Sequence, residues 1–452
     1  MTSRYQSLVA VGGLVTALCG GCPGFPEDQG ADGGSGINLG PAAITVSPAR
    51  IPITGDISLR VTAGKAQEGT AVELQQGNAK YQLGTLNPDG TLTAKIDKNA
   101  LSAAFSLGAA EVVLAGSTKK ATVRLFLEPV FDGATAAKKD IGNPTDSKEP
   151  APVWIGISNK QILTLNYQER MVQGLFNQTL GEFTSTETNT LIGSTAPRYG
   201  AYINSVFPDN AKMPYASTGV ALTDQTIMLA HYDNGVPTVL RSCALTQGCT
   251  FTENVAVFQN ISSLTADKAG TAFAAIFKEK MRIELRSFSD PKLTAPLNID
   301  GNTAKAFPSD TLVSFGLLDS DNIADLIVHR GGFLSVFVRK QSQGFVYDEA
   351  LSSKASIATH GTNLSALSTG DVDGDGLDDI VVANDNQISI LINQNGTGFA
   401  MDLSVVVDRT LSPVSSVAIG KVNAADSKAP SDLAIASQSK KRIGVLLNAA
   451  TY

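Results

Sequence analysis

From about residue 151 onward a unit of about 50 residues recurs, and recurrence at that period confines a chain to architectures whose copies hide their apolar faces against one another. The clearest copy runs from Ala366 as ALSTGDVDGDGLDDIVVA and resumes at Gln387 as QISILIN. Aligned on its Gly370, a second copy starts at Gly316 (GLLDSDNIADLIVHRGGFLSVFV) and a third at Gly420 (GKVNAADSKAPSDLAIASQSKKRIGVLLN). Each holds an apolar strand, an Asp-bearing loop and two further strands. Fainter copies near Ser263, Gly219 and Gly156 keep the outline without the acids. Several short strands per unit at this period predict a β-propeller over residues 151–452, with room for six or seven blades.

Ahead of the repeats, residues 41–129 are dense in strand signals. ISLRVTA (57–63), AVELQ (71–75), TLTAKI (91–96), EVVLA (111–115) and ATVRLFL (121–127) mostly alternate apolar and polar positions, the period of a strand with one buried face. Turn formers such as Asn87-Pro88-Asp89-Gly90 lie between them. About 90 residues of this kind predict a β-sandwich. The run from Ile53 to Ala63, followed by Glu68 to Leu74, resembles the immunoglobulin-like IPT/TIG repeats of secreted proteins, which implies a spacer or binding module. Residues 130–150 lose the alternation, gather Gly, Pro, Asp and Lys, and read as a linker. The expected fold class is therefore all-β, an immunoglobulin-like sandwich followed by the propeller.

One loop carries chemistry. DVDGDGLDD at 371–379 sets Asp371, Asp373, Asp375, the Leu377 carbonyl and Asp379 at alternating positions. Carboxylates crowded this closely repel unless a cation neutralises them, and hard oxygens in this number suit Ca²⁺, which takes six to eight. Gly376 permits the sharp turn. An EF-hand shares the first spacings, but it would need a Glu where Val382 stands and a helix where Ile380-Val381-Val382 is β-branched. The whole unit resembles the FG-GAP/VCBS repeats of integrin-α-like propellers. That resemblance implies a structural calcium ion on a blade-edge loop, with ligands engaging the opposite face. A degenerate sister loop offers Asp319, Asp321 and Asp325 as a weaker calcium site, with Leu317 at the first position and Asn322 in place of the Gly. In the last unit Lys421 and Asn423 replace the first two acids, and no calcium is expected.

Residues 1–22 join Arg4 to an apolar run, Leu8 to Leu18, that is shorter than the roughly 20 residues a membrane-spanning helix needs. Gly20-Gly21-Cys22 resembles a bacterial lipoprotein signal, which implies lipidation of Cys22; an ordinary secretory signal is the alternative, and either exports the chain. Residues 23–40, rich in Gly and Asp, read as a flexible tether. In an oxidising compartment Cys243 and Cys249 can bridge across a short turn; a free buried pair is the alternative.

A net charge of −7 with no basic run gives no footprint for nucleic acid. Three His, scattered at 231, 329 and 360, leave little for a His-based site, and neither GxSxG nor HExxH occurs. His329 reads as a blade-edge residue. No catalytic residue is assigned. The expected function is a lipid-anchored, calcium-binding, non-enzymatic binding or adhesion module at the cell envelope, whose partner is a surface protein or glycan. A hydrolase or lyase working on the propeller face and a purely structural envelope component are the alternatives. With Trp154 the sole Trp and aromatics at 6%, a lectin that stacks sugars on indoles is disfavoured.

Overall fold

The computed structural model describes residues 43–64, 68–131, 311–330, 333–340, 344–358, 364–422 and 430–450. It also describes residues 133 and 267 and the strands between 137 and 296. Cys22, the tether, Cys249 and Asn423 lie outside the described residues. Cys243 lies on the strand Val236–Ala244, opposite Ile227 of the neighbouring strand. Among the described residues no helix is long and apolar enough to cross a membrane.

The chain is all-β and propeller-like. Its first part is a two-sheet sandwich. One sheet joins Thr45–Ser47, Ile57–Thr62 and Thr91–Ile96; the other orders Arg50–Pro52, Lys120–Phe126, Gly108–Leu114, Ala71–Gln76 and Ala79–Thr85. Alternation does what it should: Leu59 and Val61 face inward from one sheet, Val112 and Leu114 from the other, and they share one apolar core. Arg50–Pro52 pairs in parallel with Arg124–Phe126. Gly90 closes the turn after Asn87 with φ 77°, and a Cβ there would stand 2.3 Å from the Ala63 carbonyl oxygen, so no other residue fits.

Six four-stranded antiparallel ladders follow among the described residues, the first with an added short strand. Their inner strands are Pro152–Ser158, Val220–Leu222, Ile261–Ala266, Leu312–Gly316, Ala366–Gly370 and Ser416–Gly420, one for each repeat in the sequence. Each inner strand packs on the next, and the sixth packs on the first, closing the ring. The repeat-anchoring glycines show why the period begins with Gly. A Cβ on Gly316 would lie 3.0 Å from Thr369 Cβ, one on Gly370 2.7 Å from Ile419 Cγ2, and one on Gly420 2.7 Å from Ile157 Cγ2. Each glycine is the point where one blade's backbone meets a side chain of the next, and Gly420 marks the seam between last and first.

Two features depart from expectation. Each unit holds a fourth, outer strand, which the repeat pattern does not announce; Gly344–Asp348, one of them, is half exposed. In the sixth sheet that outer place is filled by Ala137–Asp140, from inside the stretch expected to be a linker, pairing with Arg442–Leu446. Arg442 ion-pairs with Asp140, and Lys138 with Asp408 at 2.7 Å. A segment rich in Gly and Lys looks like linker because only one strand face needs apolar contacts at a sheet's outer rim. A helix, Glu349–Ala358, connects the fourth and fifth blades and buries Leu351 and Ala355. His329 is not at a blade edge: it lies in the second strand of blade four, 1% exposed.

Candidate metal centre

The loop 371–378 leaves the inner strand Ala366–Gly370 and returns into Asp379–Asn384. Its shape comes from its own acids. Asp373 Oδ1 accepts from the Asp375 amide at 3.0 Å, and Asp375 Oδ1 from the Leu377 amide at 2.8 Å, successive Asx turns. Asp371 clasps the loop from its start, accepting from Gly374 N at 2.7 Å and Gly376 N at 3.0 Å. Gly374 and Gly376 take φ of 81° and 86°, the conformation that side chains resist. The outcome is that Asp371, Asp373 and Asp375 offer carboxylate oxygens all within 4.8 Å of one another.

Asp379 plays a different part. It is fully buried, with Oδ2 accepting from Val372 N and Oδ1 from Asn393 N, both at 2.8 Å, and its carboxylate is not among the converging set. Asp325 repeats this bracket on Leu318 N and Arg339 N, and Asp432 on Val422 N and Asn448 N. The last Asp of the motif thus ties the start of these three loops to the end of their blade's third strand or, in blade six, to a residue just past it. Leu377 is buried, its amide committed to Asp375.

The sister loop shares the Asx turns but not the convergence. Asp319 Oδ1 accepts from Asp321 N at 3.0 Å and Asp321 Oδ1 from Ile323 N at 2.8 Å, and Asn322 takes φ 59° as an αL-tolerant residue should. With Leu317 in place of the clasping Asp, this loop has no counterpart of the Asp371 side chain. Asp319 lies 3.6 Å from the Lys340 ammonium, and Asp325 faces the strand amides. Among the described residues only Asp371, Asp373 and Asp375 come together as a possible metal set.

Sequence reasoning missed two sets of residues here. Asn393 closes the third strand of blade five, and Asn448 follows that of blade six, Arg442–Leu446. Asn393 Nδ2 donates to Leu318 O and Asp378 O, and Asn448 Nδ2 to Val372 O and Ser431 O, so each amide reaches the loop of the preceding blade. Both are legible as the closing Asn of ISILIN and GVLLN. The other set is the sandwich itself. Arg50 ion-pairs with Asp373 and reaches Asp375 Oδ2 at 3.4 Å, its guanidinium stacked 4.1 Å from the Phe126 ring centroid. Arg124 Nη1 donates to the Asp375 carbonyl at 2.8 Å and its Nε to Asn395 Oδ1 at 3.0 Å. Leu127 N donates to the Asp373 carbonyl at 2.9 Å, and a Cβ on Gly374 would strike Leu107 at 2.4 Å.

The electrostatics follow from this cover. Burial, then the neighbouring Asp375 charge, pushes the Asp373 carboxyl up to about 8, against the pull of Arg50. Burial and Asp375 push Asp371 up to about 6. Asp375 is also raised by burial, and Asp379 well raised. With no cation to neutralise them beyond Arg50, acids this buried hold their protons. The donors are all hard oxygens, the kind a divalent alkaline-earth ion takes, and one cation, the guanidinium of Arg50, already stands on two of them.

An FG-GAP repeat model matches residues 363–399, the fifth blade and this loop. No curated protein matches the chain. Among solved structures, an auxiliary nutrient binding protein from Bacteroides thetaiotaomicron is 9% identical, covering 90% of this chain and 98% of its own, with a TM-score of 0.40. A KlHsv2 protein whose loop 6CD is replaced by a Gly-Ser linker is 11% identical over 49% of this chain and 60% of its own, with a TM-score of 0.28. At such scores neither likeness carries a functional argument.

Proposed function

We propose that this chain is an exported, lipid-anchored binding module whose propeller is stiffened by a calcium ion in the loop of blade five. The observation that carries the reading is the convergence of Asp371, Asp373 and Asp375 in the one blade matched by the FG-GAP model. These three carboxylates, with the Leu377 carbonyl, would hold the ion. When bound, the ion would supply charge neutralisation and a tie among the loop's oxygens that stiffens it.

A structural rather than catalytic role is supported by access. Asp373 and Asp375 are fully buried, with Arg50 on both and Arg124 on the Asp375 carbonyl, a setting that shields them from a substrate. Binding then falls to the rest of the ring, where rigid blades present loops, and the partner is a surface protein or glycan. The signal-like residues 1–22 and Cys22 support the address, with residues 23–40 holding the folded part off the membrane.

Thermal unfolding tests the ion. Chelation should lower the melting temperature of the wild-type chain by several degrees, and the double variant Asp371→Ala, Asp373→Ala should show almost no response. An equal response in both would remove the metal from this loop. Capture of one recurrent surface protein or glycan from intact cells, dependent on the propeller, tests the binding role; turnover of any recovered glycan would favour the hydrolase or lyase instead.

A further inference from the structure

The oxygens of the acidic loop are not equally free. Both oxygens of Asp371, and Oδ1 of Asp373 and of Asp375, accept loop amides. The two that do not, Asp373 Oδ2 and Asp375 Oδ2, both face Arg50. Arg50 belongs to the sandwich, more than three hundred residues away in sequence, and it is held over the loop by the Phe126 ring and by the pairing of Arg50–Pro52 with Arg124–Phe126. The remaining contacts of the sandwich with this loop use main-chain carbonyls instead of carboxylates: Arg124 on Asp375 O, Leu127 N on Asp373 O.

From this geometry we propose that Arg50 and a divalent cation are alternative occupants of the loop, so that loading the ion expels the Arg50 guanidinium from Asp373 and Asp375. The proposal rests on the calcium reading of this loop and adds to it a built-in competitor. A divalent ion on these carboxylates draws on the two outward oxygens, which accept no amide, while Asp371 joins through lone pairs its amides leave open; two cations cannot share the outward oxygens at contact distance without strong repulsion. Release costs the sandwich only its carboxylate contacts, because the carbonyl contacts of Arg124 and Leu127 do not compete with an ion for those oxygens. Arg50 thereby acts as the resident cation that keeps buried acids neutralised when the ion is absent, and calcium exchange becomes an exchange of one joint contact between sandwich and propeller.

The test uses the full chain and calcium chloride alone. Isothermal titration should show Arg50→Gln binding calcium at least tenfold more tightly than wild type, since no competitor has to leave. In wild-type protein labelled with ¹⁵N-arginine, the Arg50 Nε–H resonance, assigned by its loss in Arg50→Lys, should shift on calcium addition, and should stay unmoved in Asp371→Asn. Equal affinities with an unmoved resonance would overturn the exchange while leaving the calcium site standing. Weaker binding by Arg50→Gln would overturn it too, making Arg50 a support of the site. No binding by either protein would remove the calcium reading itself, a result distinct from the other two. Should Arg50→Gln fail to fold, the wild-type resonance decides alone.

Discussion

Asp373 is the residue on which the chemistry of this loop turns. Burial and Asp375 raise it to about 8, and burial and Asp375 raise Asp371 to about 6. For an acid raised on folding, the sign is that the folded state holds the proton more tightly than the unfolded one. The stability this contributes is full below the ordinary value of 3.8 and is lost as pH climbs through 6 and then 8. Calcium needs the same groups deprotonated, so its affinity runs the other way. In chelator, the melting temperature should therefore fall as pH rises from about 5 to about 8, and saturating calcium should flatten or reverse that slope. Calorimetric titration across the same range should find calcium bound at least tenfold more tightly at the alkaline end. A calcium affinity indifferent to pH would mean that these carboxyls do not hold the ion.

At the scale of strands and loops, the sequence spoke clearly wherever one residue type had to recur. Inner strands are legible because Gly370 and Gly420 meet Ile419 and Ile157 too closely for any Cβ, and Gly316 meets Thr369 nearly so. The acidic loop is legible because Asx turns and convergent oxygens need Asp at alternating places. Outer strands, and Ala137–Asp140 above all, are not: a rim strand satisfies its ladder on one side and needs no apolar run, so composition mistakes it for linker. Arg50 and Arg124 were invisible for another reason, since nothing local marks an arginine as the cover of a loop more than two hundred and fifty residues downstream. The asparagines fall between. Asn393 is printed in the repeat, but its task, linking its strand to Leu318 O and Asp378 O across the blade boundary, is a property of the assembled ring. Asn393→Ala leaves those two carbonyls and the Gly396 amide without this partner in a buried setting. At about 1–3 kcal/mol for each buried group left unsatisfied, relieved in part by water, the variant should lose about 2–4 kcal/mol in denaturant unfolding. Gln394→Ala, one residue on and half-buried, should lose far less.

Over the whole molecule, two apolar cores stand on either side of a polar joint. The sandwich core gathers Ile51, Leu59, Val112 and Leu125, while the neighbouring blades gather their own, such as Val381, Ile390, Val417 and Ile435. What joins them includes the Arg50 ion pairs with Asp373 and Asp375 and a set of hydrogen bonds: Arg124 to Asp375 O and Asn395, Leu127 N to Asp373 O, Val130 N to Asn448 Oδ1 at 3.0 Å, and Ala449 N to Val130 O at 2.8 Å. The same segment then supplies Ala137–Asp140 to the sixth sheet. A sandwich hung on a loose linker would melt by itself, but one whose exit strand is built into the ring should melt with it. Differential calorimetry of the wild-type chain should accordingly show sandwich and propeller unfolding in one transition. Arg124→Ala touches the apolar interior of neither, yet it strips the buried Asp375 O of a donor, at about 1–3 kcal/mol, and the half-buried Asn395 Oδ1 of another. It should split the endotherm or give it a shoulder while both halves keep their β-sheet circular dichroism. Two transitions already present in the wild type would show that the joint transmits no stability, and that the sandwich rides on the propeller without being coupled to it.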